Sequence, residues 1–125
     1  MIGVEMIRKK RSGGKYHAKK TIVDGITFDS KKEALHYSEL KLLQASGLIK
    51  SFTCQPVFVL QEGYRRKDGK KIRDIRYIAD FAVTFPDGRV EIVDVKSFGT
   101  ITPVFKLKQK LLEKIYPDIN FKIVL

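Results

Sequence analysis

The sequence is poor in residues that crosslink a chain or cross a membrane, with one cysteine, no tryptophan and four prolines among 125 residues. The single thiol, Cys54, excludes an intrachain disulfide and a zinc site made of several cysteines. No apolar run approaches the roughly 20 residues of a membrane-spanning helix, and the N-terminus lacks the apolar core of a signal peptide. We therefore expect a cytoplasmic protein with no membrane partner.

Acidic residues are also scarce, since 14 Asp and Glu face 25 Lys and Arg and leave a net charge of +11. Such an excess predicts a polyanionic partner, most often nucleic acid. Three basic zones, at the N-terminus, mid-chain and on a late helix, suit a surface that contacts phosphates. The predicted DNA-binding residues are Arg8, Lys9, Lys10, Arg11, Lys15, Lys19, Lys20, Arg65, Arg66, Lys67, Lys106 and Lys108.

The chain divides into a basic, flexible arm over residues 1–20, which contains Ser12-Gly13-Gly14, and a single domain over residues 21–125. Asp24-Gly25 between two short β-prone runs predicts a hairpin over residues 21–28. Ser30 followed by Glu33 matches a capping box, and Gly47 is a helix stop, so we expect a helix up to about residue 46.

The rest of the chain alternates strand and helix signals. We expect an irregular strand over residues 49–61, a charged loop over 62–71, a long strand over 72–85 and another over 89–97. Thr102-Pro103 predicts the start of a second helix, and a final strand follows Pro117. This order predicts an α/β domain with a mixed β-sheet flanked by helices.

A pair of acids with a lysine marks two neighbouring strands. Asp80 lies in the first strand, and Asp94 and Lys96 lie in the second. Because side chains alternate faces along a strand, Asp94 and Lys96 are expected to point the same way. Carboxylates suit Mg²⁺, which can activate a water for phosphodiester hydrolysis, and a lysine can stabilise the developing charge. A simple solvated ion pair is the alternative.

The pattern Asp80, then Asp94-Val95-Lys96, with an acid on the preceding helix, resembles the PD-(D/E)XK nuclease superfamily. More narrowly, the chain is similar to small phage and prophage proteins of that superfamily, and also to Holliday junction resolvases and endonuclease subunits of some transposons. Ala79 departs from the proline of the motif. The stretches that carry the resemblance are residues 15–20, 28–34, 55–56, 77–81 and 93–97.

The resemblance implies a restriction-endonuclease-like fold in which Asp80 and Asp94 bind Mg²⁺ or Mn²⁺. It also implies that Lys96 is the catalytic lysine and that Glu33 completes the acidic cluster. Independently of the resemblance, the Val95 backbone carbonyl lies between the side chains of Asp94 and Lys96 in the sequence and is a candidate further ligand. Glu33 has a competing role as the capping-box partner of Ser30.

Other residues have weaker candidate roles near such a site. Glu39 and Asp74 are the spare acids if Glu33 only caps the helix. Gln55 is a candidate accessory residue for the site or for DNA, and capping of an irregular strand is equally open. His36 is expected at the surface or against DNA rather than as an acid–base group.

The function expected from these features is a metal-dependent DNA endonuclease, selective for branched DNA as Holliday junction resolvases are, and acting as a homodimer. The alternatives are a non-catalytic DNA-binding module and a nuclease subunit of a larger recombination, transposition or packaging complex.

Overall fold

The computed structural model describes residues 20–125 and the backbone of Glu5–Met6. Residues 20–125 form one mixed α/β unit with several sheets and two α-helices, as the sequence predicts. None of the helices in this part of the chain is long and apolar enough to cross a membrane.

The described elements follow the chain in the predicted alternation of strands and helices. They are β1 (Glu5–Met6), β2 (Thr21–Val23), β3 (Ile26–Phe28), α1 (Lys31–Ser46), β4 (Ser51–Cys54), β5 (Pro56–Gln61), β6 (Tyr64–Arg65), β7 (Lys71–Ile72), β8 (Ile75–Ile78), β9 (Phe81–Thr84), β10 (Val90–Val95), a short 3₁₀ helix (Phe98–Thr100), α2 (Pro103–Ile115) and β11 (Asn120–Val124).

The first hairpin, β2–β3, turns at Asp24 and Gly25, which both have positive φ, of 52° and 75°. The carboxylate of Asp24 accepts hydrogen bonds from the Tyr37 hydroxyl at 2.9 Å and the Lys41 ammonium at 2.6 Å. These donors lower the pKa of Asp24, Lys41 most strongly. The hairpin is therefore attached to α1 by its turn.

Helix α1 has the predicted ends. The hydroxyl of Ser30 accepts the backbone N–H of Glu33 at 3.1 Å, and Gly47 ends the helix with φ of 81°, where a glycine costs least. Ala34, Tyr37 and Leu40 are buried against the sheet. The sequence prediction of this helix is confirmed.

The main sheet has the strand order β11–β10–β9–β4. β10 pairs parallel with β11 and antiparallel with β9, and β9 pairs antiparallel with β4. A second sheet has the order β1–β5–β8, so a two-residue strand lies within the segment expected to be a flexible arm.

Two sequence expectations were wrong. The long strand over residues 72–85 is interrupted, because Ala79 and Asp80 separate β8 from β9 and the two strands join different sheets. The charged loop over residues 62–71 contains a second hairpin, β6–β7, whose turn uses Gly69 at φ of 88°. Asp68 supports that turn by accepting the backbone N–H of Lys70 at 2.9 Å.

The core has two parts, one on each face of the main sheet. The part under α1 contains Tyr37, Phe81 and Val93. The part under α2 contains Ile92, Phe105 and Leu112. β10 contributes to both, since its side chains alternate between the two helices.

Candidate functional site

The two predicted acids meet where β9 and β10 stop pairing. Phe81 pairs with Val93 in the antiparallel ladder, so Asp80 and Asp94 are the next residues along the two strands. The backbone N–H of Asp80 donates to Asp94 Oδ1 at 3.1 Å, and the N–H of Val95 donates to Asp80 Oδ2 at 2.7 Å. The side chains of both acids are buried, with 7% and 2% of their surface exposed. Two carboxylates are thus locked together by main-chain donors from each other's segment.

The acid pair lies at a fork between the two sheets. β9 continues into the main sheet, whereas β8 pairs with β5 and leaves β10. The adjacent strand segment is interrupted at the same level, where Gln55 separates β4 from β5. Gln55 has φ of 53°, a costly value for a residue other than glycine, and its N–H donates to the Asp80 carbonyl at 2.8 Å. The candidate accessory residue therefore lies directly opposite Asp80.

Lys96 lies on the α2 face of the main sheet. Val93 and Val95 pack in the core under α1, whereas Ile92 packs under α2, so the alternation of β10 assigns Asp94 and Lys96 to the α2 face. The Lys96 ammonium lies 4.5 Å from the centroid of the Phe105 ring on α2. This cation–π contact holds the amine against α2.

Glu33 is buried in the first turn of α1, close to the end of β10. The ammonium of its neighbour, Lys32, donates to the Lys96 carbonyl at 3.2 Å. Glu33 Oε2 accepts the N–H of Asp29 at 3.3 Å, one residue before the position that a capping box uses. The side chain therefore supports the entry to α1 in this conformation.

The carboxylates do not assemble into a three-ligand cluster. Among residues 20–125, no group of three or more His, Cys, Asp or Glu side chains is arranged to hold a metal ion. Asp80 and Asp94 are brought together, whereas Glu33 Oε2 accepts the backbone N–H of Asp29.

The spare acids lie elsewhere. Asp74 accepts a hydrogen bond from the Arg76 side chain at 2.8 Å, and Glu39 is exposed beside His36, with 3.6 Å between Nδ1 and Oε2.

His36 is less exposed than the sequence suggested. Its ring lies 5.3 Å from the Phe81 ring, between α1 and the main sheet. Burial lowers the pKa of His36, with the charge of Glu39 acting weakly in the opposite direction. No sequence pattern distinguishes it, because its burial depends on how α1 packs on β9.

A cleft of about 550 Å³ opens between β8 and α2 beside the fork. It shares Phe105 with the Lys96 contact, and the Lys108 ammonium closes one side by donating to the Arg76 carbonyl at 2.9 Å. The lining residues are Asp74, Arg76, Tyr77, Ile78, Thr102, Val104, Phe105 and Lys108. The cleft is therefore bordered by the two cations Arg76 and Lys108 and by one acid, Asp74, which accepts a hydrogen bond from Arg76.

The predicted DNA-binding residues fall into two sets. Lys20 precedes β2, Arg65–Lys67 are exposed on the β6–β7 hairpin, Lys106 is exposed on α2, and Lys108 is half-buried. The others lie outside the described residues: Arg8, Lys9, Lys10, Arg11, Lys15 and Lys19.

The fold and site define a small mixed α/β protein with a buried acid pair at the fork of its sheets. The chain belongs to the DUF1064 family, whose model matches residues 13–125 and whose description is a protein of unknown function. No curated protein and no solved structure matches the chain.

Proposed function

We propose that this protein is a metal-dependent DNA endonuclease with a restriction-endonuclease-like core of the PD-(D/E)XK type. One observation carries the proposal. Asp80 and Asp94 are buried side by side, each held by a main-chain N–H, and Lys96 follows directly after the end of β10. Burying two acids together is costly, because their like charges repel and both lose water. A cation bound between them offsets both costs.

The donor chemistry fits Mg²⁺ or Mn²⁺. Asp80 and Asp94 offer hard oxygen atoms, the ligands that these ions prefer, and would hold the ion with the Val95 carbonyl. Such an ion supplies an activated water and neutralises charge on a phosphate. The main-chain bonds to Asp80 and Asp94 fix both carboxylates before any ligand arrives. Fixed ligands need little rearrangement, which favours both binding and catalysis.

Lys96 and Glu33 have different proposed roles. The Lys96 ammonium, held over Phe105, can donate to a phosphate oxygen or orient the attacking water. Glu33 Oε2 accepts the Asp29 N–H at the start of α1, and we propose that the carboxylate leaves this N–H when it joins the site. A rotation of this side chain on substrate binding would complete the acidic cluster.

The substrate we propose is DNA, because the chain has a net charge of +11 and the cleft between β8 and α2 is bordered by two cations, Arg76 and Lys108, against one acid, Asp74. The β6–β7 hairpin carries three exposed basic residues, Arg65–Lys67, that could contact a second duplex arm. We propose branched DNA and a homodimer, since symmetric cuts in two strands need two sites.

The test is cleavage of defined DNA by the purified full chain. End-labelled linear duplex, flap and four-way junction DNA are incubated with wild type and Asp94→Asn, with and without Mg²⁺ or Mn²⁺. We expect metal-dependent cleavage by wild type only, strongest on the four-way junction. Metal-dependent cleavage that Asp94→Asn shares would overturn the proposed site, and equal cleavage of all three substrates would overturn the preference for branched DNA.

A second candidate is a non-catalytic DNA-binding module. The observation that favours it is that residues 20–125 contain no three-acid group able to hold a metal in the present conformation. Salt-sensitive DNA binding without cleavage of any substrate in either metal would support this candidate over the nuclease.

A further inference from the structure

Helix α2 presents an apolar stripe to solvent in addition to the face that it buries. Val104, Leu107, Leu111 and Ile115 are 61%, 58%, 38% and 41% exposed. At 100° per residue, the four side chains lie within an arc of about 80° on the helix. The face packed on the sheet is separate and carries Phe105 and Leu112.

This stripe differs from scattered surface leucines. Single exposed apolar residues are common on soluble proteins, but a row of four large ones over three helical turns is a patch of the kind that binds a partner. The spacing i, i+3 and i+7 is also the seam along which two helices pack. The stripe is therefore shaped for an amphipathic helix.

The charged residues beside the stripe predict the charge of the partner helix. Lys110 and Lys114 lie beside it on one side, and Lys108, whose ammonium also donates to the Arg76 carbonyl, lies beside it on the other. Glu113, the acidic residue of α2, lies on the far side of the helix. Flanking positions of a helix pair set partner choice by charge, so the complementary helix carries acids on both flanks.

Two occupants from this chain fit poorly. A second copy would bring Lys108 and Lys110 against the same residues of its neighbour, and like charges at these positions repel. The N-terminal segment, residues 1–19, also has a positive net charge, which does not complement the lysines beside the stripe. Residues 1–19 contain one acid, Glu5, and six bases: Arg8, Lys9, Lys10, Arg11, Lys15 and Lys19.

We propose that the outer face of α2 docks an acidic amphipathic helix of another protein. DNA satisfies the lysines but offers no apolar surface for Leu107 and Leu111, which a leucine-bearing helix would cover. This interface does not depend on nuclease activity. It does give the chain the means to work as a subunit of a larger assembly.

The experiment uses the full chain and two synthetic helical peptides, labelled with fluorescein, that differ only in charge. Both carry leucine at i, i+3 and i+7; one has glutamate on both flanks and the other lysine. Binding is followed by anisotropy, and backbone amide shifts locate the contact. We expect the glutamate peptide to bind and to shift residues 103–115, and the lysine peptide to show no binding.

The variants separate the apolar and the electrostatic contributions. Leu107→Ser with Leu111→Ser should weaken binding about tenfold or more, which corresponds to about 1.4 kcal/mol. Lys110→Glu with Lys114→Glu should exchange the preference and bind the lysine peptide. Leu42→Ser, an exposed leucine of α1, is the control and should leave binding unchanged.

Four results would overturn the proposal. The first two are no binding of the glutamate peptide and unchanged binding after the leucine substitutions. The third is a dimer of the chain that dissociates in Leu111→Ser, and the fourth is a larger amide shift of residues 103–115 with anionic phospholipid vesicles or duplex DNA than with the peptide. Thermal melting of each variant shows that loss of binding is not loss of folding.

Discussion

Two substitutions of Asp94 separate its structural role from its proposed catalytic role. In the native protein, Asp94 Oδ1 accepts the buried N–H of Asp80 at 3.1 Å. Alanine removes this acceptor and leaves a buried donor without a partner, which costs about 1–3 kcal/mol. Asparagine keeps an oxygen at the same position, so the hydrogen bond survives while the charge is lost.

The expected magnitudes follow from this difference. For a chain of this length, about 2 kcal/mol lowers the melting temperature by about 8 °C, at about 4 °C per kcal/mol. We therefore expect the melting temperature to fall clearly in Asp94→Ala. In Asp94→Asn it should stay unchanged or rise slightly. Both should lose cleavage by about 100-fold or more, since even partners behind a metal ligand contribute 10–100-fold.

The assay compares melting temperature, single-turnover cleavage of a four-way junction in Mg²⁺, and DNA binding without metal. DNA binding should be nearly unchanged in both variants, because the basic residues rather than Asp94 provide affinity. Asp118→Asn, at an exposed acid, is the matched control and should resemble wild type. A cleavage rate for Asp94→Asn within about threefold of wild type would refute the metal-site reasoning.

Four further predictions concern other parts of the molecule. Glu33→Gln should retain the bond to the Asp29 N–H and the melting temperature, yet lose most cleavage; wild-type activity would leave Glu33 as a cap only. Replacing the basic residues at positions 8–11 with alanine spares Glu5–Met6, which pair with β5. It should reduce the slope of log K for DNA binding against log salt concentration by about 0.9 for each phosphate that is no longer neutralised, and an unchanged slope would show that these residues do not contact DNA. The pKa of His36 lies below its usual 6.5 in the folded protein. Below pH 6.5 the unfolded chain therefore takes up a proton that the folded chain does not, and stability should fall as the pH drops from 6.5 towards the pKa of the folded state. His36→Phe should flatten this pH dependence of the melting temperature, and an equal fall in both proteins would contradict the prediction. Burial raises the pKa of Cys54 to about 11, so iodoacetamide at pH 8 should modify it much more slowly in the native protein than in urea, whereas equal rates would show that the thiol is accessible.

Local signals predicted the ends of the elements well and their pairing poorly. Ser30 and Gly47 fixed α1 because each makes a hydrogen bond or backbone angle that its own residue type determines. The break at Ala79 and Asp80 was missed although Ala and Asp are both depleted in strands, because the β-prone residues on either side outweighed them. That break arises from competition between β5 and β10 for the same strand, which is a tertiary effect.

The candidate site shows the same limit. The alternation of β10 was enough to put Asp94 and Lys96 on one face, because it depends only on the period of a strand. The hydrogen bonds between Asp80, Asp94 and Val95 were not predictable, because they replace the backbone ladder where the two sheets diverge. The position of Glu33 also depended on tertiary packing, since sequence spacing allows both a cap and a ligand.

The charge of the acid pair is hard to explain by stability. Asparagine at position 80 or 94 would accept the same main-chain N–H groups, at 2.7 and 3.1 Å, without burying a carboxyl group. Two carboxylates are therefore not needed to hold the fork together, and burying them side by side carries a free-energy penalty. A pair of buried acids that the fold does not require is the observation on which our proposal of a bound metal ion rests.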